Sequence, residues 1–313
     1  MPMVGELIYH QTRGRVAPCG GTRHVRWQRA ADVTGDGCGA MRTIAGLVLC
    51  LAFCTRAAGA QTPTQPPPAE AQYDVNALAK QTQNPVADLT AVPLQFNFNS
   101  GGDLEDRSLF LLNFQPVIPF KATANWNVIA RFIVPIESVP GPDATRYSGI
   151  GDMQTQLFIT PAKSGSFVWG VGPTLSFPTA TAASSETGTW ALGPSAVVVK
   201  MAGPWVLGGL ISQLWPLHDA AGDPETDLFT LQPFVNYNLG HGWALAFAPI
   251  MTANWNAAEG NQWTVPLGFG ISKTAIFNRR PVSLGAQYYY NVERPDGAPG
   301  EQLRFLVSFL FPR

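Results

Sequence analysis

Between residues 92 and 311 the chain changes character at every second residue, in about twelve separate stretches, and this rhythm narrows the available folds more than any other feature. In SFVWGVGPTLSF (166–177), Phe167, Trp169, Val171, Pro173, Leu175 and Phe177 alternate with Val168, Gly170, Gly172, Thr174 and Ser176. One parity is bulky and apolar; the other is small or hydroxylic, and neither is charged. A period of two marks a strand whose faces meet different surroundings. VPLQFNFN (92–99), LFLLNFQPVIPF (109–120), WNVIARFIVPI (126–136) and GDMQTQLFI (151–159) repeat the pattern, with amides opposite Phe, Leu and Val. Further strands are expected at 189–200, 204–216, 227–239, 242–255, 262–274, 281–292 and 302–311. About twelve strands of roughly ten residues fit an all-β fold, an up-and-down transmembrane antiparallel barrel.

The connections point the same way. Short turns around 122–124, 163–165, 202–203, 240–241 and 278–279 alternate with longer polar loops at 100–107, 138–149, 178–188, 217–226, 256–261 and 293–301. Transmembrane barrels keep short turns on the periplasmic side and long loops outside. Trp126, Trp169, Trp190, Trp205, Trp243, Trp255 and Trp263 fall near strand ends, as interfacial girdles do. One strand resists: in WVLGGLISQLW (205–215), Gln213 shares the lipid-facing parity of Trp205 and Leu207. A bulge at Gly208-Gly209 would flip the register, and the sequence leaves the register of 204–216 open.

Composition excludes other classes. Charged residues are 13 % of the chain, about half the share usual for a soluble domain. Low charge with 9 Trp and 18 Phe argues equally against disorder. No basic stripe suggests nucleic acid.

The N-terminal quarter reads differently. From Met41, a basic Arg42, an apolar run from Thr43 to Cys54, and Ala58-Gly59-Ala60 form the three regions of a secretory signal peptide. Cleavage is expected after Ala60, and residues 1–40 read as a mis-annotated extension. All four cysteines precede that site, so the mature chain has no disulfide and no thiolate metal site. Residues 61–90 are a Pro-rich periplasmic linker and a candidate plug, and 91–313 are the barrel.

The inward parity offers Gln95, Asn97, Asn113, Gln115, Arg131, Gln154, Gln156, Gln232, Asn236, Gln287, Asn291 and Arg304 as lumen- or channel-lining residues. Charges at membrane depth are costly unless they line water or meet a partner, which singles out Arg131 and Arg304. Lys121, Lys163, Lys200, Lys273, Arg279 and Arg280 gather at the turns. Asp103, Glu105, Asp106, Asp143, Asp219, Asp223, Glu225, Glu259, Glu293 and Asp296 gather in the loops, where they would repel anions or recruit divalent cations. Catalysis has little to use. The mature chain holds only His218 and His241, which this topology puts on opposite sides, and Ser176, Ser195 and Ser212 have no evident base. Neither metal-ligand spacing nor a phosphate loop occurs, so no cofactor is expected; the GVG of 170–172 reads as clearance inside a strand.

QNPVADL (83–89), LNFQPVIPF (112–120), WGVGPTLSFPTAT (169–181), GPSAVVVK (193–200), LQPFVNYNL (231–239), QWTVPLGFGISK (262–273) and LRFLVSFLFPR (303–313) occur together. In these stretches the chain resembles a family of Gram-negative outer-membrane β-barrel transporters grouped with the MetA-pathway phenol-degradation proteins, some of them labelled neuromedin U. The resemblance covers roughly 75–313. Its last strand, with Phe305, Val307, Phe309 and Phe311 on one parity, resembles the barrel-assembly signal but ends in Pro312-Arg313. The expectation is therefore a non-enzymatic channel in the cell outer membrane for passive uptake or efflux of small molecules. Its partners would be lipid, lipopolysaccharide, the barrel-assembly machinery and the solute. The alternatives are a sealed structural or surface-interaction barrel and a lipid-modifying enzyme.

Overall fold

The computed structural model describes residues 73–104, 107–141, 145–163, 165–181, 189–217 and 227–312. The signal-peptide reading, the Pro-rich stretch 61–72 and His218 lie outside them.

Twelve strands form one closed barrel. They are β1 (Thr90–Ser100), β2 (Leu109–Phe114 and Val117–Lys121), β3 (Trp126–Pro140), β4 (Arg146–Ile150 and Met153–Pro161), β5 (Phe167–Phe177) and β6 (Ala191–Ala202). Then follow β7 (Trp205–Pro216), β8 (Leu228–Gly240), β9 (Trp243–Phe247 and Met251–Asn254), β10 (Trp263–Phe277), β11 (Arg280–Glu293) and β12 (Glu301–Phe311). Each strand pairs antiparallel with its chain neighbours, and β12 pairs with β1 from Thr90↔Phe311 to Ser100↔Glu301. Closure leaves no sheet edge, so backbone N–H and C=O groups are met between strands rather than by water.

The turns show why the chain reverses where it does. Asn278 and Arg279 both take positive φ (48° and 66°) between the paired Phe277 and Arg280, a two-residue hairpin whose twist matches the flanking strands. Gly203, at φ 55°, opens the equally short β6–β7 turn.

The two parities separate as the sequence predicts. Phe98, Phe114, Phe120, Val171, Phe269, Phe305, Phe309 and Phe311 are exposed outward, while Gln95, Asn97, Asn113, Gln156, Thr174 and Ser195 are buried inward. Tryptophans form a belt at each end. Trp126, Trp169, Trp205 and Trp243 stand at the turn end, Trp126 stacking edge-on with Trp169 (5.9 Å) and Trp205 with Tyr237 (4.7 Å). Trp190, Trp215, Trp255 and Trp263 stand at the loop end, Trp255 and Trp263 5.6 Å apart. Trp205 and Trp215 bracket one strand, and ten steps of about 3.3 Å span about 33 Å along it. A tilt of about 40° reduces that to about 25 Å of height, the apolar band of an outer-membrane barrel.

The register that the sequence leaves open is continuous through Gly208-Gly209. β7 pairs without a register shift with β8, from Leu228↔Leu214 to Tyr237↔Trp205, and keeps one register with β6 as well. Gly208 is needed for space instead: a Cβ there would run into the Phe234 ring inside the barrel. Gln213 does face outward. It donates to Asp227 Oδ1 and accepts from Trp255 Nε1 at 3.2 Å, so the loop-end belt satisfies it.

Candidate functional site

The lumen is built in rows. Cross-strand register sets Asn97 on β1 beside Arg304 on β12, and Arg304 beside Gln287 on β11. Arg304 donates from Nε to Asn97 Oδ1 (3.2 Å), from Nη1 to Gln287 Oε1 (3.3 Å) and the Ala248 carbonyl (3.2 Å), and from Nη2 to Gln302 Oε1 (2.7 Å). Its guanidinium lies 4.8 Å over the Tyr289 ring. Tyr289 in turn donates to Gln287 Oε1 (3.2 Å), and Gln95 Nε2 donates to Asn97 Oδ1 (3.0 Å). The layer also depends on a break in β9 at Ala248-Pro249-Ile250. Pro249 has no N–H for the ladder, and Ala248 turns its N–H to Tyr289 Oη (3.3 Å) and its carbonyl to Arg304.

Two cavities flank this layer. A smaller one, about 90 Å³, lies toward the loops and is lined by Asn97, Asn99, Asn113, Asn291, Gln302 and Arg304 among others. Asn113 is fully buried there, and neither of its amide atoms has a partner among the described residues. A larger cavity, about 230 Å³, lies toward the turns and includes Gln95, Gln115, Arg131, Gln232, Asn236 and Gln287 in its lining. Arg131 donates to Gln115 Oε1 (2.9 Å) and Gln156 Oε1 (3.2 Å).

One wall of the larger cavity is the N-terminal segment. Asp74 caps helix α1 (Val75–Thr82) by accepting from Asn76 N–H (2.9 Å). The helix buries Leu78 and Ala79, and Asn84 turns the chain through its side-chain bond to Val86 N–H (3.1 Å). Three contacts clamp the segment to the turn end. Lys80 Nζ donates to the Gly203 carbonyl (2.8 Å), Gly242 N–H donates to Asn76 Oδ1 (3.0 Å), and Gln83 and Asn238 exchange amide bonds (3.0 and 3.1 Å).

The sequence-predicted lining residues therefore divide. Asn97, Gln287, Gln95 and Arg304 form one network; Arg131, Gln115 and Gln156 form another. Gln232 and Asn236 face the larger cavity from β8, and Asn291 lines the smaller one while donating to the Pro299 carbonyl (2.8 Å). Gln154 is buried on the inward face of β4. Sequence reasoning missed Tyr289, hidden in a run of three tyrosines where both parities are aromatic. It also missed Glu137, buried just beyond the expected end of the 126–136 strand, whereas Asp152, on the polar parity of 151–159, is buried inward. Asp152 Oδ1 accepts from Thr179 and Ala180 N–H groups (2.9 Å each) and so anchors a loop. The largest omission is an apolar interior: Ile129, Phe158, Val168, Val197, Val199, Val206, Leu210 and Phe234 pack inward around Val86. Gly170 makes room for it, since a Cβ there would press on Phe158, Val197 and Val86.

Among the described residues, Ser195 and His241 do not form a hydrolytic pair. Ser195 Oγ donates to the Gly172 carbonyl (2.9 Å) and lies seven residues from the end of β6, about 20 Å along the strand from the turns. His241 sits on the β8–β9 turn. Among the described residues no cluster of His, Cys, Asp or Glu could hold a metal. Of the loop acids, only Asp103, Glu259, Glu293 and Asp296 are described.

No protein of curated function matches the sequence. In fold the chain is similar to the COG4313 outer membrane channel from Pseudomonas putida F1, with a TM-score of 0.53 and 15% identity over 72% of this chain and 96% of that one. It also aligns with the NanC porin (TM-score 0.46, 13% identity, 70% and 98% coverage) and with outer membrane phospholipase A from Escherichia coli (0.39, 12%, 72% and 93%). Identities this low speak to the fold alone, and the two lower scores carry no argument. The family described as "Putative MetA-pathway of phenol degradation" matches residues 76–307, from α1 into the last strand, and the chain belongs to that family of outer-membrane β-barrels.

Proposed function

We propose that the barrel is a passive channel for small molecules in the cell outer membrane, with the turns in the periplasm and the acidic loops outside. The observation that carries this reading is the interior itself. Cavities of about 90 and 230 Å³, both lined by amides, are separated by a hydrogen-bonded layer around Arg304. Solute would move along the amide rows, with Arg304 narrowing the middle and Arg131 biasing the turn end. The segment 73–89 would act as a removable plug, held by a few polar contacts and by Val86. Phe305, Val307, Phe309 and Phe311 would present the assembly signal to the barrel-insertion machinery.

A sealed barrel is favoured by one observation, the wedging of Val86 among Ile129, Phe158 and Val197. Planar-bilayer recording on the refolded mature protein, with residues 61–90 present and removed, separates the two. Discrete conductance that grows on removal is expected. No conductance in either form, with heat-modifiable folding intact, would overturn the channel and leave the sealed barrel.

A further inference from the structure

The two inward-facing arginines, Arg304 buried and Arg131 half-buried, are bonded in different ways. A guanidinium carries five N–H donors in a fixed fork. Arg304 commits all three nitrogens to protein acceptors and stacks on Tyr289, which makes it a structural bolt. Arg131 makes two bonds, both to neutral amide oxygens, and three of its donors have no acceptor among the described residues.

The cavity that Arg131 faces has no Asp or Glu in its lining. Its lining mixes neutral amides and hydroxyls with an apolar part supplied by Val117, Phe234, Ala248 and Leu306. A partly desolvated cation without a counter-charge is costly, and an anion in the cavity would offset that cost through charge-assisted bonds. The volume, about 230 Å³, equals that of about eight waters at about 30 Å³ each, which suits a solute of about eight non-hydrogen atoms. The geometry points to a binding site for short amphipathic monocarboxylates, with the carboxylate on the open donors of Arg131 and the alkyl chain over Phe234 and Leu306. This assignment rests on reading the lumen as a solute path, and it names the class of solute that path selects. Arg131 then acts as a specificity residue, and binding should be weak, about millimolar, so that the solute can leave again.

Binding can be measured without conduction. The full mature chain, folded in detergent, is titrated calorimetrically with sodium hexanoate and with its neutral isostere hexanamide, each of eight non-hydrogen atoms. Saturable hexanoate binding at one site is expected, with hexanamide at least about tenfold weaker. Arg131→Gln should abolish that preference, and Arg131→Lys should restore part of it. Arg280→Gln, which removes one positive charge at a turn, should change nothing. Ala246→Phe, filling the cavity while leaving Arg131 in place, should also abolish binding and covers the case in which Arg131→Gln does not fold. Equal binding of acid and amide, absence of binding, or hexanoate binding unchanged by both Arg131→Gln and Ala246→Phe would overturn the assignment. A bilayer without conductance would refute the channel reading and leave this result to stand by itself.

Discussion

The interior wall formed by β11, β12, β1 and β2 presents Gln287, Arg304, Asn97 and Asn113, whereas that of β5 to β8 presents Val168, Val197, Val206 and Phe234. Both walls belong to one sheet and face lipid with similar side chains, so only their inner parity separates them. On the amide wall, directional bonds fix side chains in rows and leave space beside them. On the valine wall, non-directional packing fills space and grips Val86. The lesson is that a barrel of this size can close one half of its bore by packing and hold the other half open with hydrogen bonds. A passage would hug the polar half.

The contrast can be broken most severely from the apolar side. Val199→Asp places an unpaired carboxylate in a fully buried position and should cost about 3–5 kcal/mol, enough to abolish heat-modifiable migration after refolding. Normal migration would mean that this wall is wet. On the polar wall, Arg304→Gln removes the four bonds of the central layer and should lower barrel stability by about 3 kcal/mol in urea unfolding within micelles. Arg131→Gln, measured the same way, should cost less than about 1 kcal/mol, because it loses two bonds and also relieves a half-buried charge. Equal losses for the two would erase the distinction between bolt and binding group. Val86→Ala deletes the two methyl groups that the N-terminal segment packs against the valine wall, about 1.6 kcal/mol. The loss should appear as faster hydrogen exchange and proteolysis in 73–89 with the unfolding midpoint of the barrel unmoved. Outside both walls, Gln213→Leu should shift stability by no more than about 0.5 kcal/mol, since Trp255 and Asp227 sit where water and lipid headgroups can replace the lost bonds. A larger shift would make that exterior cluster structural.

The same comparison explains what could be read from sequence. Strand positions, their number and the lipid-facing parity were legible because the two parities differ in chemistry over most strands. VPLQFNFN and GDMQTQLFI declare their faces at once. GPSAVVVK does not: Val197, Val198 and Val199 are alike, yet Val198 faces lipid and its neighbours pack inside. Tyr289 is hidden for the same reason between Tyr288 and Tyr290, both exposed. Period-two reasoning assigns faces only where composition breaks the symmetry. The glycine pair in β7 left the register undecided. Gly208 suggested a bulge, but its small size serves the Phe234 ring across the strand pair, a contact with no sequence signal. The twelve amides and arginines were all placed on the inner face, but which of them would bond together depended on register, and register becomes visible only once the sheet closes.

The two tryptophan belts also decide which membranes can accept the protein at all. A side wall of about 25 Å is a short peg, and bilayers with hydrocarbon cores of about 30 Å would have to thin by about 5 Å around its whole circumference. At fractions of a kcal/mol per ångström, that mismatch amounts to a few kcal/mol. Thickness is thus a sorting signal written into the strand length, acting before any receptor has read the chain, and reconstitution should proceed fastest in short-chain lipids.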